Sequence, residues 1–228
     1  LQISGITSKL SLNQKRFFAE LIGTFVVVVF ATGSVVLDAK YIGTFGLWFV
    51  ALAPAVAVAI TVYAFGKISM SHFNPAVTLG FLLTRHMPKS LLPLYLGAEI
   101  IGALLGSVFV KYVIGTDANI GANAPDYHFS IPFIVGIEIL VTAFLLAVIL
   151  TVVHTKGLKG FGGMAIGAMI GLDIFFFAFI SGASMNPARS LAPAILSGYV
   201  NDLWLYLSAP FIGSSIVAIV YQIKFAKR

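Results

Sequence analysis

Cysteine is absent from the 228 residues, so no disulfide, thiol nucleophile or thiolate metal site can form. Charge is scarce as well: Asp, Glu, Lys and Arg make up 10% of the chain against 59% apolar residues, which rules out a soluble globular domain. The 14 cations outnumber eight carboxylates, and the resulting +6 requires no nucleic acid, because a basic face beside anionic lipid accounts for it. Residues 1–16 contain no short hydrophobic region followed by a small-residue cleavage site, so no cleavable signal is expected and the first apolar run directs insertion. His72 has no second histidine at metal-binding spacing, and neither a metal nor a cofactor is expected.

Long apolar runs are what the chain does have. Six are long enough to cross a bilayer, at about 17–37, 46–65, 91–114, 131–153, 161–180 and 203–225. An even number puts both termini on one side. Eleven of the 14 Lys and Arg fall on that side, Lys9, Lys159, Lys227 and Arg228 among them, while Lys40, Lys111 and Arg189 fall on the other. The positive-inside rule therefore makes the termini cytoplasmic. A multi-pass protein of the cell membrane is expected.

The tripeptide Asn74-Pro75-Ala76 returns as Asn186-Pro187-Ala188. Proline suits the first position of a helix, where its missing N–H costs nothing, so each Asn reads as an N-cap. The apolar stretches behind them, 76–87 and 188–198, are roughly half the 20 or so residues that span a bilayer. They read as half-helices that end near mid-membrane. A glutamate followed four residues later by threonine also recurs, as Glu20 with Thr24 and Glu138 with Thr142. The chain thus divides into repeats of about 1–112 and 131–228 within one membrane domain, joined by a polar linker at 115–130. Three spans per repeat is odd, so the second repeat lies inverted and the two half-helix N-termini meet at the midplane. Irregular backbone at that depth must be buried in protein or line a wet cavity, and stretches 69–73 and 181–185 are expected to supply carbonyls to one.

The pseudo-symmetric Glu20 and Glu138 read as acceptors for N–H groups of those irregular loops rather than as a proton relay. Glu99 and Asp173 have no symmetric mates, and structural and functional readings stand level for them. Gly102 with Gly106, and Gly163, Gly167 and Gly171, place small residues on single helix faces, which permits close helix approach.

The two Asn-Pro-Ala boxes, Arg189 three residues after the second Asn, and the paired Glu20 and Glu138 together resemble the aquaporin or major intrinsic protein family. The resemblance runs from about residue 15 to 224. Around the boxes it is most similar to nodulin-26-like channels and their microbial relatives. It implies an all-α, right-handed bundle of six spans plus two re-entrant half-helices, one pore per subunit, and a homotetramer. It implies further that Asn74 and Asn186 donate to passing water, that Pro54, Ile174, Ala183 and Arg189 form the outer constriction, and that His72 lines the pore. Arg189 as an interfacial snorkeller and His72 as a solvated loop residue are the plain alternatives.

Strict water channels of the family commonly carry an aromatic and a histidine where Pro54 and Ile174 stand. Their absence implies a wider, more apolar opening and makes water, glycerol, urea, ammonia or metalloid acids the candidate cargo. Ser190 and Ala194 differ from the residues of dedicated glycerol facilitators, Glu99 stands where many relatives have glutamine, and Pro54 removes a helical hydrogen bond. An ion-coupled secondary transporter is the competing class, since broken helices and intramembrane carboxylates also suit it. Saturable, proton-dependent uptake would distinguish it. An enzyme is remote, because the loop serines lack a base and an orienting partner.

Overall fold

The computed structural model describes residues 10–158 and 160–225; Lys9, Lys159, Lys227 and Arg228 lie outside them. No strand occurs among the described residues. The long helices are α1 Leu12–Lys40, α2 Gly46–Ser69, α4 Leu92–Phe109, α5 Ile131–His154 and α6 Gly162–Ser181. Between them lie the half-helices α3 Pro75–Leu83 and α7 Pro187–Ser197. A short α8 Leu203–Tyr206 and α9 Ala209–Phe225 together make the last span. Among the described residues six segments are long and apolar enough to cross a membrane, and the chain is an integral multi-pass membrane protein.

Helix ends depart from the expected bounds for local reasons. α1 starts five residues earlier than its apolar run because Ser11 forms a capping box: its hydroxyl accepts from Gln14 N (3.3 Å) and Gln14 Oε1 accepts from Ser11 N (2.8 Å). α3 stops at Leu83 rather than 87. There the Thr84 hydroxyl turns back onto the Gly80 carbonyl (2.8 Å), Arg85 takes a left-handed φ of 62°, and His86 N returns to Phe81 O (2.9 Å). α7 ends at Ser197 with Gly198 left-handed behind it. α2 runs on through Pro54 without interruption.

The repeat is visible in the packing. A Cβ placed on Gly102 would lie 2.4 Å from the Leu21 carbonyl and 3.1 Å from Thr24 Cβ; one on Gly213 would lie 2.3 Å from the Ile139 carbonyl and 3.1 Å from Thr142 Cβ. Each glycine thus lets the third helix of its half touch the first, just beyond the repeated glutamate. Gly167 does the same between α6 and α2, where a Cβ would stand 2.3 Å from Ala55 O.

Candidate functional site

α2 and α6 each end on a left-handed residue, Met70 and Gly182, and the chain then turns back as irregular loop before entering α3 and α7. Positive φ recurs at Ser71 and Phe73 in one loop and at Ala183 and Met185 in the other. Such backbone cannot bond to itself, so its polar groups need other partners. Glu20 Oε1 accepts from His72 N (3.0 Å) and Oε2 from Phe73 N (2.7 Å). Glu138 accepts from Met185 N (2.6 Å), Ser184 N (3.2 Å) and the Ser181 hydroxyl (2.9 Å). The Tyr95 hydroxyl donates to Ser69 O (2.7 Å) and, at the matching place, Tyr206 to Ser181 O (2.6 Å). Several loop carbonyls expected to face a cavity are therefore satisfied inside the protein.

The two half-helices meet head to head. Asn74 Oδ1 caps α3 by accepting from Ala76 N (2.9 Å), and Asn186 Oδ1 caps α7 from Ala188 N (3.0 Å) and Arg189 N (3.3 Å). Their amide nitrogens cross over: Asn74 Nδ2 donates to Met185 O (2.8 Å) and Asn186 Nδ2 to Phe73 O (2.9 Å). Each Nδ2 carries two hydrogens, and the crossed bond uses one.

A cavity of about 370 Å³ passes this junction. Its walls include every fourth residue from Val50 to Val62 on α2 and from Ile166 to Ala178 on α6, apolar stripes about 18 Å long at 1.5 Å per residue. Asn74, Asn186 and His72 border it, as do Pro54, Ile174, Ala183 and Arg189. Arg189 is only 8% exposed, which removes the snorkelling alternative. Its guanidinium donates to Asn123 Oδ1 and Ala31 O. His72 is 4% exposed, so it is no solvated loop residue; its Nδ1 bonds to the Thr78 hydroxyl (2.9 Å). Thr78 bonds in turn to Glu99 Oε1 (2.6 Å). Glu99 Oε2 and both Asp173 oxygens are buried without a protein partner among the described residues.

Segment 115–130 is more than a polar linker. It folds over the bundle, with Ala118, Asn119 and Ile120 in left-handed conformation, and lines the cavity with Asn119 and Asn123. Asn123 also accepts from the Ser190 hydroxyl (2.8 Å) and donates to Gly182 O (2.9 Å), so it ties α7 to the loop before it. Sequence reasoning missed Asn123; a lone asparagine in an unrepeated loop carries no periodic signal. Tyr127 and Tyr199 both donate to Asp202, which anchors the segment; hydrogen bonding to that carboxylate pushes the Tyr127 hydroxyl up to about 12.

Six spans with two re-entrant half-helices joined cap to cap beside a cavity define an inverted-repeat membrane channel. The chain belongs to the major intrinsic protein family, whose model matches residues 7–221. A probable aquaporin, NIP4-2, from Arabidopsis thaliana is 36% identical over 209 residues, covering 91% of this chain and 74% of its own length. Nodulin-26 from Glycine max is 33% identical over 211 residues, covering 92% of this chain and 77% of its own. Among solved structures, the aquaglyceroporin from Plasmodium falciparum superposes with a TM-score of 0.78 over 94% of this chain and 97% of its own, at 23% identity, a likeness of fold.

Proposed function

We propose that the protein is a passive channel for water and small uncharged solutes, closed to ions and protons. The observation that carries this reading is the crossed pair of bonds between Asn74 and Asn186, which leaves one amide hydrogen on each free toward the cavity. Each half-helix N-terminus adds about half an elementary positive charge at the same depth. A cation meets repulsion there without replacement for its hydration, while a neutral hydroxyl or amide finds donors.

Pro54, Ile174, Ala183 and Arg189 act as the outer selectivity filter in this reading. Arg189 supplies charge and donors, and the other three supply an apolar wall. The bulk of an aromatic at the Pro54 position is absent, so glycerol, urea, ammonia or metalloid acids are cargo along with water. Glu20 and Glu138 are engaged by loop N–H groups and do not serve as proton carriers. The functional unit is a homotetramer in the cell membrane with cytoplasmic termini.

A flux panel in one proteoliposome preparation tests the reading, comparing water, glycerol, urea and ammonia against empty vesicles. Fluxes that exceed the control, do not saturate and ignore an imposed proton gradient are expected. Saturable uptake driven by that gradient would overturn it in favour of a coupled transporter.

A further inference from the structure

Thr78 has one hydroxyl hydrogen and two buried neighbours that compete for it. Its Oγ1 lies 2.6 Å from Glu99 Oε1 and 2.9 Å from His72 Nδ1, and it can donate to only one of them. An ionised carboxylate only accepts; Thr78 would then donate to Glu99, His72 Nδ1–H would donate to Thr78, and His72 Nε2 would be a bare lone pair. A carboxylic acid protonated at Oε1 reverses every bond. Glu99 donates to Thr78, Thr78 donates to Nδ1, and the ring hydrogen moves to Nε2.

The surroundings choose between these two patterns. Glu99 and Thr78 are wholly buried, Glu99 Oε2 has no partner, and no cation among the described residues pairs with Glu99. A carboxylate held only by neutral donors, with no cation beside it, costs far more in such a place than the neutral acid. A proton on Oε2 would also lack an acceptor, whereas one on Oε1 has Thr78.

We infer that Glu99 is a positioning residue: as a neutral acid it works through Thr78 to fix His72 as the Nε2–H tautomer. This goes beyond the channel reading above and does not depend on it. The His72 Nε2 is buried and has no protein partner among the described residues, and Nδ1 is held, so the ring cannot flip without breaking the bond to Thr78. The other half of the repeat repeats the pair with different chemistry. Ser184 and Ser190 occupy the places of His72 and Thr78 and bond to each other, while Ser190 donates to Asn123 Oδ1, an oxygen that only accepts. Direction there is fixed by an amide; on the His72 side it depends on the state of Glu99.

The test reads tautomers and needs no flux, so its failure is distinct from failure of the channel reading. The full chain, labelled with 15N-histidine, is placed in proteoliposomes, and His72 is assigned by difference against His72→Gln. Solid-state NMR is expected to show Nε2 protonated and Nδ1 as a hydrogen-bonded acceptor. Infrared difference spectra against Glu99→Gln are expected to show loss of one neutral-carboxyl C=O band. Thr78→Val is expected to shift the Nδ1 resonance to that of a free acceptor, and Thr78→Ser to restore the wild-type signature. A wild-type ring protonated at Nδ1, a missing neutral-acid band, or an Nδ1 resonance unmoved in Thr78→Val would each overturn the proposal. Two of these readings use the unaltered pore, so they stand even if a Thr78 variant fails to fold.

Discussion

At the scale of single residues, the paired acids are the structural keystones of the loops. Each holds two backbone N–H groups that have no other acceptor, at His72 and Phe73 for Glu20 and at Ser184 and Met185 for Glu138. Replacing Glu138 by Gln turns one acceptor oxygen into a donor against an N–H and is expected to cost about 1–3 kcal/mol, with Glu20→Gln close behind. Thermal unfolding in detergent micelles checks it; unchanged melting in both variants would remove the acids from this role. Asn123→Ala breaks the hold on Arg189 and Gly182, and Arg189→Val deletes the guanidinium. Both are expected to raise proton leak in dye-loaded vesicles, Arg189→Val more strongly, and unaltered leak in Arg189→Val would take it out of the filter. The boxes, the glutamates and Arg189 were legible in the sequence because they repeat or follow a repeat. Asn123 was not, since its partners lie 66 and 67 residues away and nothing local marks it.

At the scale of elements, the six spans and both half-helices could be read from apolar run length, and the N-caps from Asn-Pro. The stop of α3 was not legible: no proline appears until Pro88, and the helix is ended by the Thr84 back-bond and the left-handed Arg85. Past that stop His86 Nε2 meets His154 Nε2 at 2.7 Å, with Tyr221 packed on both rings, so α3, α5 and α9 are joined at one point. Burial first, and His154 second, lower the His86 pKa from 6.5. The unfolded chain therefore binds more protons than the folded one below about pH 6.5, and stability falls as pH drops through that window. Melting temperatures between pH 7.5 and 5 should decline, and the decline should flatten in His86→Gln. A flat profile in the unaltered protein would contradict this.

At the scale of the whole molecule, inversion was expected from odd span count and motif phase, and the structure shows matched contacts of Gly102 and Gly213 on the first helix of each half. The folding of 115–130 over the cavity was not legible, because composition marks a loop without saying where it packs. The outer faces of α2 and α6 remain strongly apolar, with Trp48, Leu52, Val56, Phe175 and Phe179 exposed on the isolated chain. Native mass spectrometry from mild detergent is expected to give four times the 24.3 kDa chain, and a monomer alone would refute the tetramer. In the proposed channel two amide caps, bonded crosswise at mid-membrane, keep a passage open to neutral molecules and shut to charge. Stopped-flow shrinkage and proton leak, recorded on the same proteoliposomes, test it most directly. Water permeability well above empty vesicles with proton leak at the empty-vesicle level is the result this account requires. Shrinkage no faster than the control, or water flux accompanied by matching proton flux, would contradict it.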